Sequence, residues 1–160
     1  MYNKNRKIYK VISITLVIIW LLIVYFLSAE PSSVSSNTSG KFVNIILKII
    51  YGTSNVNQAR IDIITFIIRK LAHFTLYTLG GILIFNLVMC YNINSNRKKV
   101  MCAWFVGTIF AGLDEFHQYF VPGRSAELRD VLIDSLGICV GIILFNLCCA
   151  IILKMKGENK

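Results

Sequence analysis

The sequence predicts an all-α integral membrane protein with four transmembrane helices, both termini cytoplasmic, and a short amphipathic outer-surface helix in the first outward loop. Two observations carry this reading. Four apolar stretches are each about the ~20 residues needed to cross a bilayer, and charge is distributed unevenly about them. Ten of the 17 Lys and Arg fall at the termini and in the connection between the second and third stretches, whereas seven of the eight acids fall at the other ends. Short connections rich in Lys and Arg are retained on the cytoplasmic side. Ten basic residues against Glu158 alone give +9 inside, and seven against seven give 0 outside, so one face holds the whole net charge of +9. That excess reads as topology and contact with anionic lipid; no nucleic-acid partner is expected. With 160 residues, 56% of them hydrophobic, and a mean hydropathy of +0.64, the chain has room for a single membrane domain, 1–160, and no soluble one.

The first helix, about 8–28, has an apolar core from Ile8 to Leu27. This exceeds the ~7–15 residues of a secretory signal, so the segment reads as a retained anchor. The outward loop, 29–62, opens with a Pro- and Ser-containing run expected to be irregular. Phe42, Ile45, Ile46, Ile49 and Ile50 then recur at three- and four-residue spacing, the pattern of an amphipathic surface helix; a re-entrant hairpin is the alternative. Asn37-Thr38-Ser39 formally matches a glycosylation acceptor and is given no weight.

The second helix, about 63–91, ends at the turn Asn92–Lys99. The third, about 100–120, is strictly apolar only from Val100 to Leu113. Asp114, Glu115 and Gln118 must therefore sit at or just inside a membrane surface if it spans. Pro122-Gly123-Arg124-Ser125 marks an outward turn before the fourth helix, about 130–153. The five cysteines avoid the outward loops and form no C-x-x-C, so neither disulfides nor a thiolate metal site is expected. Trp20, Trp104 and the Phe residues read as interface anchors and lipid-facing bulk.

Helical phase locates the chemistry. At about 100° per residue, His73, Tyr77 and Gly81 lie within about 60° of Lys70. The same phase brings Asp114 and Gln118 onto the face of Gly107 and Ala111, and Asp130 and Asp134 onto the face of Gly137 and Gly141. Each helix thus has polar residues toward one end and small residues deeper on the same face. Small residues permit close approach in lipid, so the polar faces are expected to converge in one pocket opening outward. A homo-oligomer is compatible with such faces.

Two explanations remain open. The charges pair to neutralise one another and pin register, or they bind or transform a polar ligand, the default reading for intramembrane ionisable groups. In the second, His73, Asp114 and Glu115 are candidate catalytic acid–base groups. Lys70, Tyr77, Gln118, Arg124, Asp130 and Asp134 are candidate binding residues, Arg124 having the fork that suits phosphate or carboxylate. Asp114 and Glu115 point about 100° apart, so one faces the pocket, with Asp114 favoured, and the other the rim. His73, His117 and the acids include metal-ligand types, but no recognised ligand spacing occurs and no metal is assigned. No cofactor can be named.

The motifs Lys70-x-x-His73-Phe74-x-x-Tyr77-x-x-Gly80, Asp114-Glu115-x-x-Gln118-x-x-x-Pro122-Gly123-Arg124 and Asp130-Val131-x-x-Asp134-x-x-Gly137-x-x-x-Gly141 resemble the VanZ-like membrane proteins, as does Ser28-Ala29-Glu30-Pro31. The resemblance covers about Trp20 to Phe145. It implies a small multi-helix protein of the bacterial cell membrane whose site faces the extracytoplasmic side. It also implies low-level resistance to glycopeptide or lipoglycopeptide antibiotics such as teicoplanin, or modification of the cell envelope. Partners implied are membrane lipids and a lipoglycopeptide antibiotic or cell-wall lipid intermediate. The alternatives are an enzyme acting on an amphiphilic envelope lipid bearing phosphate or carboxylate, and a structural or transport-associated helical bundle. This chain departs from the family at Asp134, where Asn is usual; the extra ionisable group requires a proton or an offsetting cation.

Overall fold

A computed structural model describes residues 2–31, 40, 43–49, 52, 57–124 and 126–158. Helix α1 is Tyr2–Ala29, α2 Gln58–Met89, α3 Asn96–Gln118 and α4 Leu128–Glu158. A short helical segment also occupies 43–49. It buries Val43 and Leu47, one turn apart, and leaves Ile45 and Ile49 exposed. Phe42, Ile50, Ser125 and the glycosylation match Asn37-Thr38-Ser39 lie outside the described residues.

The expectation of four spans is corrected to three. Arg6–Ala29, Gln58–Met89 and Leu128–Lys156 are long and apolar enough to cross a membrane; α3 is not. The reason lies at its ends. Arg97, Lys98 and Lys99 open the helix and Asp114 and Glu115 interrupt its last turns, leaving 14 uncharged residues from Val100 to Leu113. At ~1.5 Å per residue these cover ~21 Å of a ~30 Å hydrocarbon layer. Helix α3 nevertheless packs on all three of the other long helices.

The helices also start earlier than the apolar runs. Helix α2 begins at Gln58, where the Asn57 side chain caps it by accepting from the Ala59 amide at 3.2 Å. The added turns are polar and lie beyond the apolar stripe that marked 63–91.

The tightest pair is α2 against α4, and it is made by glycine. A Cβ on Gly81 would meet the Ile138 carbonyl oxygen, one on Gly137 would lie 2.7 Å from the Phe74 carbonyl oxygen, and one on Gly141 would meet the Thr78 carbonyl oxygen. Gly107 on α3 accepts the Ile138 side chain in the same way, its would-be Cβ 2.8 Å from the Ile138 Cδ1. Without a hydrophobic driving force between helices in lipid, such close backbone approach supplies the dispersion contacts that hold them.

Helix α1 is fixed by Trp20, which is 1% exposed and is therefore not the interface anchor its type suggested. Its indole N–H donates to the Leu76 carbonyl at 2.9 Å, its ring covers Gly80, and it meets Tyr77 and Phe110 edge-on, with centroids at 5.6 and 6.4 Å. We expect Trp20→Ala to cost ~3–5 kcal/mol, the range for removing a buried aromatic. Trp20→Phe should lose closer to the ~1 kcal/mol of one hydrogen bond. Thermal unfolding of the purified protein in detergent checks the order; equal losses would contradict it.

The bundle has two chemically distinct ends. Where α1 begins and α2 gives way to α3, Arg6 bonds the Asn92 side chain, Lys10 lies 4.0 Å from the Tyr91 ring centroid, and Asn86 donates to Ser13 at 2.9 Å. The acids gather at the opposite end.

Candidate functional site

At that opposite end α1 stops, α2 is in its first half, α3 stops and α4 starts. Lys70, His73 and Tyr77 come from successive turns of one α2 face. Asp114 and Gln118 are one turn apart at the end of α3, and Asp130 and Asp134 one turn apart at the start of α4. The glycine contacts below bring these faces close enough for the polar groups to meet.

They meet as three linked groups. Lys70 pairs with Asp130, both side chains mostly buried. The centre is His73, Asp114 and Asp134: one ligand-type atom from each lies within 4.8 Å of the other two. The His73 Nδ1 is 3.5 Å from the Asp134 Oδ2, and the Asp134 side chain is only 2% exposed. Tyr77 is wholly buried, and its hydroxyl lies within electrostatic range of both Asp114 and Asp134. Among the described residues, the Tyr77 hydroxyl, the Asp134 Oδ1 and the His73 Nδ1 are buried atoms without a hydrogen-bond partner of good geometry, although the His73 Nδ1 stands 3.5 Å from the Asp134 Oδ2 and the Tyr77 hydroxyl lies close to Asp114. Such atoms are uncommon and demand an explanation.

The third group is a relay. Arg124 donates from Nη1 to the Gln118 Oε1 at 3.1 Å, and Gln118 donates from Nε2 to the Asp114 Oδ2 at 3.1 Å. The rest of the Arg124 fork is spent on α1: Nε donates to the Glu30 carbonyl and Nη2 to the Leu27 carbonyl, both at 3.0 Å. Arg124 thereby satisfies carbonyls left over at the end of α1 while reaching the acid cluster only through Gln118. Burial, with Arg69 acting in the same direction, lowers its proton affinity; Asp114, Glu30 and Glu115 work against that.

Glu115 is spent differently from Asp114. The Glu115 Oε1 accepts from the Glu127 amide at 2.7 Å, just before α4 begins. A carboxylate there complements the positive end of the helix dipole. Arg129 pairs with Glu127 at 2.5 Å and lies over the Phe66 ring. His117 is not in the cluster; its ring stacks on Tyr25 with centroids 4.9 Å apart.

Sequence reading passed over Ser28 and Ser135, both buried, the latter with an unpartnered hydroxyl. Ser135 follows Asp134 but differs from it by about 100° of helical phase, so no polar stripe pointed to it. The carbonyl acceptors for Arg124 carry no sequence signal at all, because any residue provides one.

Chemically, an imidazole held beside a buried carboxylate can take and return a proton, and the other carboxylate with the phenol can hydrogen-bond a polar group brought among them. The VanZ/LLP1 family model matches residues 13–150. No curated protein and no solved structure matches the chain.

Proposed function

The chain belongs to the VanZ/LLP1 family, and from that premise we propose that it is a cell-envelope membrane protein that lowers susceptibility to glycopeptide or lipoglycopeptide antibiotics by engaging an amphiphilic ligand at the His73–Asp114–Asp134 end of the bundle. The observation that carries this reading is the set of buried, unpartnered polar atoms there: the Tyr77 hydroxyl, the Asp134 Oδ1 and the His73 Nδ1. Two helices hold them, and Asp114 joins from a third. Groups that merely neutralised one another would be expected to be satisfied by each other, as Lys70 and Asp130 are.

The basic end, with Arg6, Lys7, Lys10 and Arg97–Lys99, belongs in this reading on the cytoplasmic side of a bacterial membrane. The acid cluster then faces the extracytoplasmic side, at the depth of lipid headgroups. A ligand with a polar head and an apolar tail suits both the cluster and the apolar helix surfaces around it.

A second reading is an enzyme acting on an envelope lipid that bears phosphate or carboxylate. The His73–Asp134 contact favours it, because a carboxylate that orients imidazole is a recurrent general-base arrangement. Here His73 moves the proton and Asp134 positions it.

The test compares teicoplanin and vancomycin susceptibility of a Gram-positive host producing wild type, His73→Ala, Asp114→Asn or Arg124→Ala at equal membrane levels. We expect wild type to raise teicoplanin tolerance several-fold, with the gain lost in His73→Ala and Asp114→Asn. No gain from wild type rejects the antibiotic role. A gain retained by every variant rejects the cluster as its site. Product formation from envelope lipid by purified wild type, absent in His73→Ala, decides for the enzyme.

A further inference from the structure

With both carboxylates ionised, the charge of the central cluster is not balanced by neighbouring Lys or Arg. Among the described residues, neither Asp114 nor Asp134 has a Lys or Arg within ion-pair distance: Lys70 is taken by Asp130, and Arg124 by the Gln118 amide and two carbonyls. His73 can contribute one positive charge against two buried carboxylates. A divalent cation contributes two and leaves the imidazole neutral, the form in which it ligates.

The geometry agrees with the charge. Ligand atoms bound at ~2.0–2.2 Å to one tetrahedral ion stand ~3.4 Å apart. The His73 Nδ1 and the Asp134 Oδ2 are already 3.5 Å apart, and ligand-type atoms of His73, Asp114 and Asp134 all lie within 4.8 Å of one another. The supporting contact is also present. Gln118 donates to the Asp114 Oδ2 and is itself held by Arg124, the kind of outer hydrogen bond that fixes a ligating carboxylate.

An independent observation points to the same place. Tyr77 is 0% exposed, yet among the described residues its hydroxyl has no hydrogen-bond partner of good geometry, and it is aimed at the two carboxylates, Asp114 the nearer in interaction. A bound ion with its water would give that hydroxyl an acceptor. Linear spacing could not reveal such a site, because its three ligands come one from each of three helices.

We propose that His73, Asp114 and Asp134 form a binding site for one divalent first-row transition metal ion. One imidazole and two carboxylates select zinc, manganese or ferrous iron over magnesium and calcium, which prefer oxygen alone. The site is built on the same buried atoms as the antibiotic reading above, and zinc binding is measured separately from susceptibility.

The experiment uses the full-length protein purified in detergent, stripped with chelator and titrated with zinc alone. We expect one zinc per chain in wild type, and binding at least ~100-fold weaker in His73→Gln and Asp134→Asn, since losing a ligand should exceed the 10–100-fold cost of losing an outer-shell partner. X-ray absorption at the zinc edge should show nitrogen and oxygen neighbours at ~2.0–2.2 Å with imidazole scattering and no sulfur at ~2.3 Å. The proposal is overturned by substoichiometric zinc in wild type, by equal affinity in the variants, or by a sulfur shell, which would assign the metal to the free cysteines. If either variant fails to remain monodisperse, the wild-type absorption spectrum decides alone.

Discussion

Gly141→Val is expected to be the most damaging single substitution in the bundle. A Cβ at this position would overlap the Thr78 carbonyl oxygen and stand 2.9 Å from the Ile82 amide nitrogen and 3.0 Å from the Gly81 Cα. All three neighbours are backbone, so no side chain can rotate out of the way. The helices must separate, and Ile138 would then be drawn off both Gly81 and Gly107, where it now seats. Overpacking typically costs ~1–3 kcal/mol, and a contact that cannot relax belongs at or beyond the upper limit. The measurement is membrane accumulation and thermal stability beside Gly112→Val, a helical glycine with nothing within 4 Å of its would-be Cβ. Gly112→Val should behave as wild type. Equal behaviour of the two variants would remove the close α2–α4 contact as a source of stability.

Breaking the Lys70–Asp130 pair comes second. Both side chains are mostly buried, at 21% and 17% exposure, so Lys70→Met leaves a carboxylate without its counter-charge. Removal of one partner of a buried pair costs ~3–5 kcal/mol, and the residual exposure here argues for the lower end. Replacing both partners with apolar residues of similar size is often nearly neutral. We therefore expect Lys70→Met and Asp130→Leu each to be strongly destabilising and the double variant to recover most of the loss. Additive losses in the double variant would mean that the two residues act through other partners. A double variant that folds but no longer supports function would mark Lys70 or Asp130 as a ligand contact as well as a fastener.

How much of this was legible in the sequence depends on the range of the interaction. Helical phase grouped Lys70, His73 and Tyr77, and separately Asp114 with Gln118 and Asp130 with Asp134, because each set is fixed by local geometry. The small-residue faces at Gly81, Gly107, Gly137 and Gly141 were legible for the same reason. The membership of α3 among the spans was not, since the helix is long enough but the charges at its two ends leave only 14 uncharged residues between them. The burial of Trp20 was hidden because an aromatic in an apolar helix reads equally well as a lipid-facing ring; only Gly80, 60 residues downstream, makes the slot it fills. Arg124 was read as a free fork, yet most of its donors go to main-chain oxygens that no side-chain pattern advertises.

The order of the cluster along the chain has a consequence for biosynthesis. Lys70 and His73 lie on α2, whereas Asp130 and Asp134 lie on α4, so the nascent chain presents its bases to the bilayer well before the acids that meet them. An aspartate at the centre of an inserting helix costs ~2.5–3.5 kcal/mol on translocon scales; Asp130 and Asp134 lie in the first two turns of α4 instead, and α4 arrives when α2 is already waiting. Helix α4, which leaves the ribosome after α2, can therefore carry charge. A ribosome stalled before residue 130 would leave an anchored protein with its site half built.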